Sequence, residues 1–201
     1  DVSWITEMES HNVKFYNSAG VAMDGLVLLK SLGMNAIRLR VWVNPKKGWN
    51  NKMDVLVKAL RAKDLGMKVM IDFHYSDTWA DPGQQAKPLQ WESMTMLQLK
   101  EALSNHTKDV LSLLRNNNIS VDWVQVGNET GNGMLWNEGK ASDNMKNYAD
   151  LNTAGYDAVK EVYPNAKVIV HIHNGWDNSL FRWIFDGLKA NSSKWDIIGM
   201  S

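Results

Sequence analysis

The stretch from Asn35 to Tyr75, NAIRLRVWVNPKKGWNNKMDVLVKALRAKDLGMKVMIDFHY, predicts a strand, a helix and a second strand in that order. Asn35–Val43 and Lys68–Tyr75 are short runs rich in β-branched and apolar residues, which is typical of buried strands. Between them, apolar residues recur at helical spacing and run into Gly66, a residue suited to the left-handed end of a helix. The stretch therefore predicts one β-α-β unit of a parallel sheet.

The same alternation extends over the whole chain. Strands are predicted at Asp1–Ile5, Asn35–Val43, Lys68–Tyr75, Asp122–Gly127, Lys167–Asn174 and Asp196–Ser201. No Gly-rich turn follows the first strand, and polar residues follow several strands instead of one, which favours an α/β (β/α)8 TIM barrel over a doubly wound sheet. Because such a barrel needs about 250 residues, we expect residues 1–201 to be one partial barrel domain, the first six βα units, ending in strand six.

Composition narrows the class of protein. The chain has 201 residues, 44% hydrophobic and 22% charged, with 22 basic side chains matching 22 acidic ones. The charge balance argues against a nucleic-acid partner, and no apolar run is long enough for a transmembrane segment. With no Cys there is no disulfide or thiolate metal site. Trp is unusually frequent, with 10 residues.

In a barrel, reactive groups lie at the carboxyl ends of the strands. The polar residues predicted there are Arg38, Arg40, Asp72, His74, Asn128, Glu129, His171, His173 and Asn174. Glu129 suits a general acid whose neighbour Asn128 hydrogen-bonds a sugar hydroxyl, and a retaining glycosidase pairs such an acid with a carboxylate about 5 Å away. The alternative is that Glu129 caps a helix. Arg38 and Arg40 either orient a carboxylate or form an internal ion pair.

Tryptophans predicted at the same edge suit a carbohydrate cleft, because sugar rings stack on flat aromatic faces. Trp79, Trp91, Trp136 and Trp176 fall in loops after predicted strands, whereas Trp183 falls on a helix and is expected in the core. A different chemistry is a metal-dependent hydrolase, since Asp72-x-His74 and His171-x-His173 each place two potential ligands on one strand face.

Longer motifs carry a resemblance to a known family. The motif sequences NAIRLRVWV (35–43), DFHYSD (72–77), WADPG (79–83) and WVQVGNET (123–130) resemble the endo-β-1,4-galactanases of glycoside hydrolase family 53. NGMLW (132–136) and GYDAVK (155–160) are similar to that family as well, as is the start, DVSW (1–4) with EME (7–9). The likeness covers essentially the whole chain in order.

The resemblance implies a retaining barrel enzyme that cleaves β-1,4-galactan, the side chain of type I arabinogalactan in pectin. It makes Glu129 the acid/base, Asn128 its substrate-binding neighbour, and Arg38 the arginine that supports the nucleophile. The family's nucleophile is a Glu at the end of strand seven, so we expect it outside residues 1–201, and the 201-residue piece alone to be inactive. One departure is His173, where the family usually has Asp.

From these features we expect a hydrolase that is secreted, periplasmic or on the cell surface, monomeric when complete, with no cofactor and no bound metal. Its expected substrate-binding residues are Arg38, Arg40, His74, Trp79, Trp91, Asn128, Trp136, His171, His173, Asn174 and Trp176. The alternatives are the metal-dependent barrel hydrolase and a glycan-binding barrel without catalysis.

Overall fold

Five parallel strands form the centre of the molecule. The structure, a computed structural model, describes residues 1–201. The strands of this sheet are β3 (Ala36–Val41), β4 (Lys68–Phe73), β5 (Trp123–Val126), β6 (Lys167–Ile172) and β7 (Ile197–Met200). They pair in chain order, β3-β4-β5-β6-β7, with no reversal. This is the order in a barrel wall, whereas a doubly wound sheet changes direction at a switch point.

Helices connect the strands and cover one face of the sheet. They are α1 (Ile5–Ser10), α2 (Gly25–Ser31), α3 (Lys52–Asp64), α4 (Met96–Asn116), α5 (Met145–Val162) and α6 (Asn178–Ala190). A short antiparallel pair, β1 (Phe15–Tyr16) with β2 (Ala22–Met23), lies between α1 and α2. None of the helices combines the length and apolarity that crossing a membrane requires.

Alternation along β3 explains how the core and the site are separated. Ile37, Leu39 and Val41 are buried in the main apolar cluster. Because successive side chains of a strand point to opposite faces, Arg38 and Arg40 point to the other side of the sheet. The strands therefore place an apolar layer against the helices and a polar layer on the face that a barrel encloses.

Local signals in the sequence set the helix ends. The Asn51 side chain accepts hydrogen bonds from two N–H groups at the start of α3, and Thr95 forms a capping box with Gln98 at the start of α4. Gly33 and Gly66 follow α2 and α3 with positive φ angles of 92° and 61°. The predicted glycine caps are confirmed, since this region of backbone favours glycine.

The predicted strand at Asp1–Ile5 is wrong. Val2 N–H does donate to the Arg38 carbonyl at 3.1 Å, so the segment lies beside β3. The next position is taken by a side chain, because Ser3 Oγ accepts from Arg40 N–H at 2.8 Å, and helix α1 begins at Ile5. A single backbone bond does not make a ladder, so the sheet has the second to sixth predicted strands only.

Two smaller expectations also change. Trp183 lies on α6 as predicted, but its side chain is 42% exposed and is not in the core. The strands β4 and β6 end before the predicted Tyr75 and Asn174, which have positive φ angles of 51° and 55°. Such angles interrupt extended backbone, so these residues belong to the loops at the carboxyl edge.

Candidate active site

A buried polar layer lies on the inner face of the sheet. The strand register places Asp72 beside Arg40 on β3 and beside Gln125 on β5. Asp72 is fully buried and Gln125 is 1% exposed. Buried polar groups of this kind cost free energy unless they bond to each other, and the distances among them are short.

Arg38, Asp72 and Gln125 form the base of the site. Arg38 Nη1 donates to Gln125 Oε1 at 3.2 Å and lies 3.6 Å from Asp72 Oδ2. Gln125 Nε2 donates to Asp72 Oδ1 at 2.6 Å. Arg38 Nε donates to Asp1 Oδ2 at 3.0 Å, so the arginine joins the amino-terminal segment to the sheet. The predicted internal ion pair of Arg38 is present, with Asp72 and Asp1 as its partners.

Asn128 and Glu129 stand above this base at the end of β5. Asn128 Oδ1 accepts from Gln125 Nε2 at 3.0 Å, and its Nδ2 donates to the Ala80 carbonyl at 2.8 Å. Glu129 has a positive φ of 49° and is partly exposed. Its carboxylate accepts a hydrogen bond from Ser201 Oγ at 3.1 Å, and so reaches the end of β7. The side chain is thus turned to the open carboxyl edge of the sheet, and no helix begins at it.

His171 lies beneath Glu129 and is 7% exposed. Its Nδ1 is 3.3 Å from the Glu129 backbone nitrogen and 3.2 Å from Asn128 Oδ1. Burial lowers the pKa of His171, an effect that the nearby Asp72 carboxylate opposes. The imidazole therefore supports the backbone of the strand end, and its predicted contact with a substrate stays a prediction.

His74 is also enclosed. It is 1% exposed, its Nδ1 accepts from Ala80 N–H at 3.0 Å, and its Nε2 lies 3.4 Å from Asp72 Oδ2. Because Nδ1 accepts, the neutral ring carries its proton on Nε2, directed at the carboxylate. His74 thus packs beside the Asp72 carboxylate without a hydrogen bond between Nε2 and Oδ2, and its predicted contact with a substrate stays a prediction.

Arg40 was expected to contact substrate or form an ion pair, and no carboxylate lies within ion-pair distance of its guanidinium. Its guanidinium carbon lies 4.6, 4.8 and 4.2 Å from the ring centroids of Trp4, Trp42 and Trp79. The residue is 2% exposed. Burial lowers the pKa of Arg40 to about 10, and Asp72 partly offsets that cost. Cation–π contacts hold the charge here, so Arg40 supports a group of tryptophans.

The four predicted rim tryptophans separate into two kinds. Trp176 is 82% exposed and Trp79 is 38% exposed, while Trp136 is half-buried with its indole N–H on the Asn132 carbonyl at 2.8 Å. Trp91 is 5% exposed and packs edge-to-face on His106, 6.2 Å between ring centroids. The expectation that Trp91 lies on the rim is wrong, because the loop after β4 folds it back into the core.

His173 and Asn174 lie in the turn after β6. The His173 ring packs so closely on Gly131 that a Cβ there has no room. The carbonyl of Asn174, an exposed residue, accepts from Asp177 N–H at 2.7 Å, in the turn that leads into α6. The predicted metal set of Asp72, His74, His171 and His173 does not converge, since no three His, Asp or Glu side chains lie together in a metal-binding arrangement.

Comparison with known proteins gives the family. The family model described as "Glycosyl hydrolase family 53" matches residues 1–201. The chain belongs to this family. An arabinogalactan endo-β-1,4-galactanase A of Emericella nidulans is 36% identical over 207 residues, which are 100% of this chain and 59% of that protein.

Two solved structures are similar to this chain in both fold and sequence. A structure of two fungal β-1,4-galactanases superposes with a TM-score of 0.94 at 35% identity, covering 99% of this chain and 61% of that one. The Ignisphaera aggregans GH53 catalytic domain gives a TM-score of 0.91 at 37% identity, covering 100% and 56%. These likenesses confirm the barrel class, and this family 53 chain spans less than two thirds of the length of its relatives.

Sequence reasoning missed two glutamines of this family 53 site. Gln125 connects three of the groups described above, and Gln85 donates from Nε2 to the Asn128 carbonyl at 2.8 Å. Gln125 had a signal, because it is an amide inside the apolar run Trp123–Val126, at a position that faces away from the helices. Gln85 lies in an irregular loop, where no periodicity indicates which way a side chain points.

Proposed function

We propose that the full-length protein is a retaining endo-β-1,4-galactanase in which Glu129 is the acid/base. The observation that carries the proposal is the position of Glu129, a partly exposed carboxylate at the open end of β5, directly after Asn128 and above the Arg38–Asp72–Gln125 layer. Membership of glycosyl hydrolase family 53 and the galactanase names of its relatives support the substrate.

Two steps follow from this placement. Glu129, as a carboxylic acid, gives its proton to the glycosidic oxygen while the bond from that oxygen to the anomeric carbon breaks and a second carboxylate bonds to the same carbon. Glu129, now a carboxylate, then takes a proton from a water molecule whose oxygen attacks the anomeric carbon and releases the second carboxylate. One water is consumed for each bond cleaved.

The second carboxylate belongs, in this proposal, to the part of the full-length protein that corresponds to the remaining length of the relatives. Arg38 would hold that carboxylate, because its side chain is 29% exposed and its guanidinium lies at the inner face of the sheet. Asn128 would bond a hydroxyl of the sugar at the cleavage point. Bonds to the 2-hydroxyl strengthen in the transition state of such reactions.

The exposed tryptophans would bind the polymer. Trp79 and Trp176 are exposed in loops at the carboxyl edge, where sugar rings could stack on their indoles. Galactan is a polymer of the plant cell wall, so we propose that the protein acts outside the cytoplasm, as a secreted, periplasmic or surface enzyme.

The test uses the full-length protein with Glu129→Gln and a matched control, Glu138→Gln. Glu138 is a partly exposed carboxylate near the site, paired with Lys87 at 2.8 Å. Loss of the general acid alone costs roughly 10²–10⁴-fold, so we expect Glu129→Gln to lose galactan hydrolysis by at least that factor while retaining binding. Glu138→Gln should keep its activity.

A second measurement assigns the role. With an aryl galactobioside, azide should restore turnover of Glu129→Ala by attacking the covalent intermediate, with a β-galactosyl azide as the product. Near-normal galactan hydrolysis by Glu129→Gln would remove Glu129 from the mechanism. A wild-type protein that binds galactan without cleaving it would instead favour a glycan-binding barrel.

A further inference from the structure

Gln125 connects more of the site than any other side chain described above. It is 1% exposed, on the inner face of β5. Its Oε1 accepts from Arg38 Nη1 at 3.2 Å, and its Nε2 donates to Asp72 Oδ1 at 2.6 Å and to Asn128 Oδ1 at 3.0 Å. The two hydrogens of Nε2 are thereby used by the two nearest acceptors.

The chemistry of its neighbours fixes which way this amide points. Arg38 can only donate hydrogen bonds and an ionised Asp72 can only accept them. Oε1 must therefore face the arginine and Nε2 the carboxylate. Reversing the amide would place N–H against N–H and oxygen against oxygen, around a buried Gln125 and a buried Asp72.

The orientation of the Gln125 amide also affects the orientation of the Asn128 amide. With Gln125 Nε2 donating to it, Asn128 Oδ1 must accept, and Nδ2 is left to donate to the Ala80 carbonyl at 2.8 Å. Ala80 takes one of the two Nδ2 hydrogens. The Ala80 carbonyl, which can only accept, favours the same direction. His171 Nδ1 favours the reverse, because it accepts from the Glu129 N–H at 3.3 Å and lies 3.2 Å from Asn128 Oδ1, a second acceptor. Gln125 Nε2 is therefore the donor that decides between them.

We propose that Gln125 is a positioning residue, which keeps the Asn128 amide turned so that its second Nδ2 hydrogen donates to the sugar's 2-hydroxyl oxygen. The inference rests on the proposed glycosidase function and deepens it. Gln125 itself touches no substrate. Its effect is that Asn128 presents a donor, and not an acceptor, at the moment when the bond to the 2-hydroxyl strengthens.

The experiment compares three variants of the full-length protein. Gln125→Glu keeps the shape but replaces the Nε2 donor by an oxygen, which faces the acceptors Asp72 Oδ1 and Asn128 Oδ1. Gln125→Met removes both polar ends at similar volume. Asn152→Asp is the matched control, because Asn152 is a buried amide on α5 whose Nδ2 donates to Ser193 Oγ and the Lys194 carbonyl, ahead of β7 and so at the opposite edge of the sheet from Asn128.

The readout is the ratio of kcat/KM for an aryl β-1,4-galactobioside to that for its analogue lacking the 2-hydroxyl on the sugar bearing the aryl group. The intrinsic reactivity difference between the two substrates cancels when variants are compared. We expect both Gln125 variants to lower the ratio by about tenfold, the value of one well-made hydrogen bond, mainly through kcat. The Asn152→Asp ratio should equal that of the wild type.

Unchanged ratios in both Gln125 variants would overturn the proposal, and so would an equal loss in Asn152→Asp. A neutron structure of full-length Gln125→Glu tests the same point without a substrate, since deuterons distinguish the two ends of an amide. We expect Asn128 reversed, with Nδ2 toward residue 125, and an unreversed amide refutes the inference. If the wild-type protein does not cleave galactan but the Asn128 amide is reversed in Gln125→Glu, the proposed function fails. The orienting role of Gln125 then still stands.

Discussion

His106 on α4 provides a quantitative test of the packing under the site. Its ring contacts three aromatic rings, with centroid distances of 5.7 Å to Phe73, 6.3 Å to Tyr75 and 6.2 Å to Trp91. Its Nε2 is shielded from solvent and has no hydrogen-bond partner. Burial lowers the pKa of His106 from 6.5 to about 4; the charge of Asp109 opposes this shift, and that of Lys52 adds to it.

The sign of the effect on stability follows from the lowered pKa. Between pH 6.5 and 4 the unfolded chain binds a proton at His106 that the folded protein does not, so folding becomes less favourable as the pH falls. A pKa difference of that size corresponds to about 3 kcal/mol. Because the side chain is only partly buried, solvent screening reduces the value, and we expect about 2 kcal/mol.

The assay is urea unfolding of the full-length protein at pH 7 and pH 4, wild type against His106→Leu. Other carboxylates and histidines titrate in both proteins, so their contributions cancel in the difference. We expect the variant to gain about 2 kcal/mol relative to the wild type on going from pH 7 to pH 4. Leu188→Ala, which truncates a buried side chain on α6 and removes no titratable group, should show the same difference at both pH values.

A wild-type minus His106→Leu difference that does not change between the two pH values would refute the reasoning. It would mean that His106 binds its proton equally well in the folded and unfolded protein, and that the aromatic cluster does not exclude water from the ring. The cluster would then be open enough to solvate a charge.

Three other outcomes are expected. Trp91→Ala should lower the free energy of unfolding in urea by about 3–5 kcal/mol, as other buried aromatic truncations do. It should not weaken galacto-oligosaccharide binding measured by calorimetry. A stable variant with weakened binding would place Trp91 on the rim. Trp79→Ala should weaken that binding by about 0.5–1.5 kcal/mol, and an unchanged dissociation constant would exclude Trp79 from the cleft. A polypeptide of residues 1–201 alone should not hydrolyse galactan. It should also be poorly stable as a monomer, because β3 and β7 are the unpaired edges of its sheet. A monomeric piece that melts cooperatively and is active would contradict this expectation.

Most of the fold was predictable because its signals are local. The runs that became β3 to β7 are continuous apolar segments, and the glycines after α2 and α3 end those helices by a backbone preference that needs no tertiary contact. The predicted strand at Asp1–Ile5 failed for the opposite reason. Val2 and Ile5 have strand-like side chains, but Ser3 bonds the neighbouring strand through its hydroxyl and the chain turns into α1.

The site was predicted less completely than the fold. The alternation along β3 correctly places Arg38 and Arg40 on one face, yet it does not distinguish their environments. Arg38 meets two carboxylates, whereas Arg40, two residues further on, is surrounded by indole rings from three separate segments. Trp91 illustrates the same limit, because the path of the loop after β4 decides whether its ring faces solvent or His106.

The sequence by itself determined the alternating strands and helices and the family, and it predicts Glu129 and Asn128 as the reactive pair, since each depends on residue order or on short motifs. Only the tertiary structure decided which polar residues are open and which are enclosed, and which ends of the buried amides donate. Those properties depend on distances between residues far apart in the chain, as between Gln125 and Asp72, 53 positions away, at 2.6 Å. Burial and hydrogen-bond direction arise from packing in three dimensions, and no local preference of the chain encodes them.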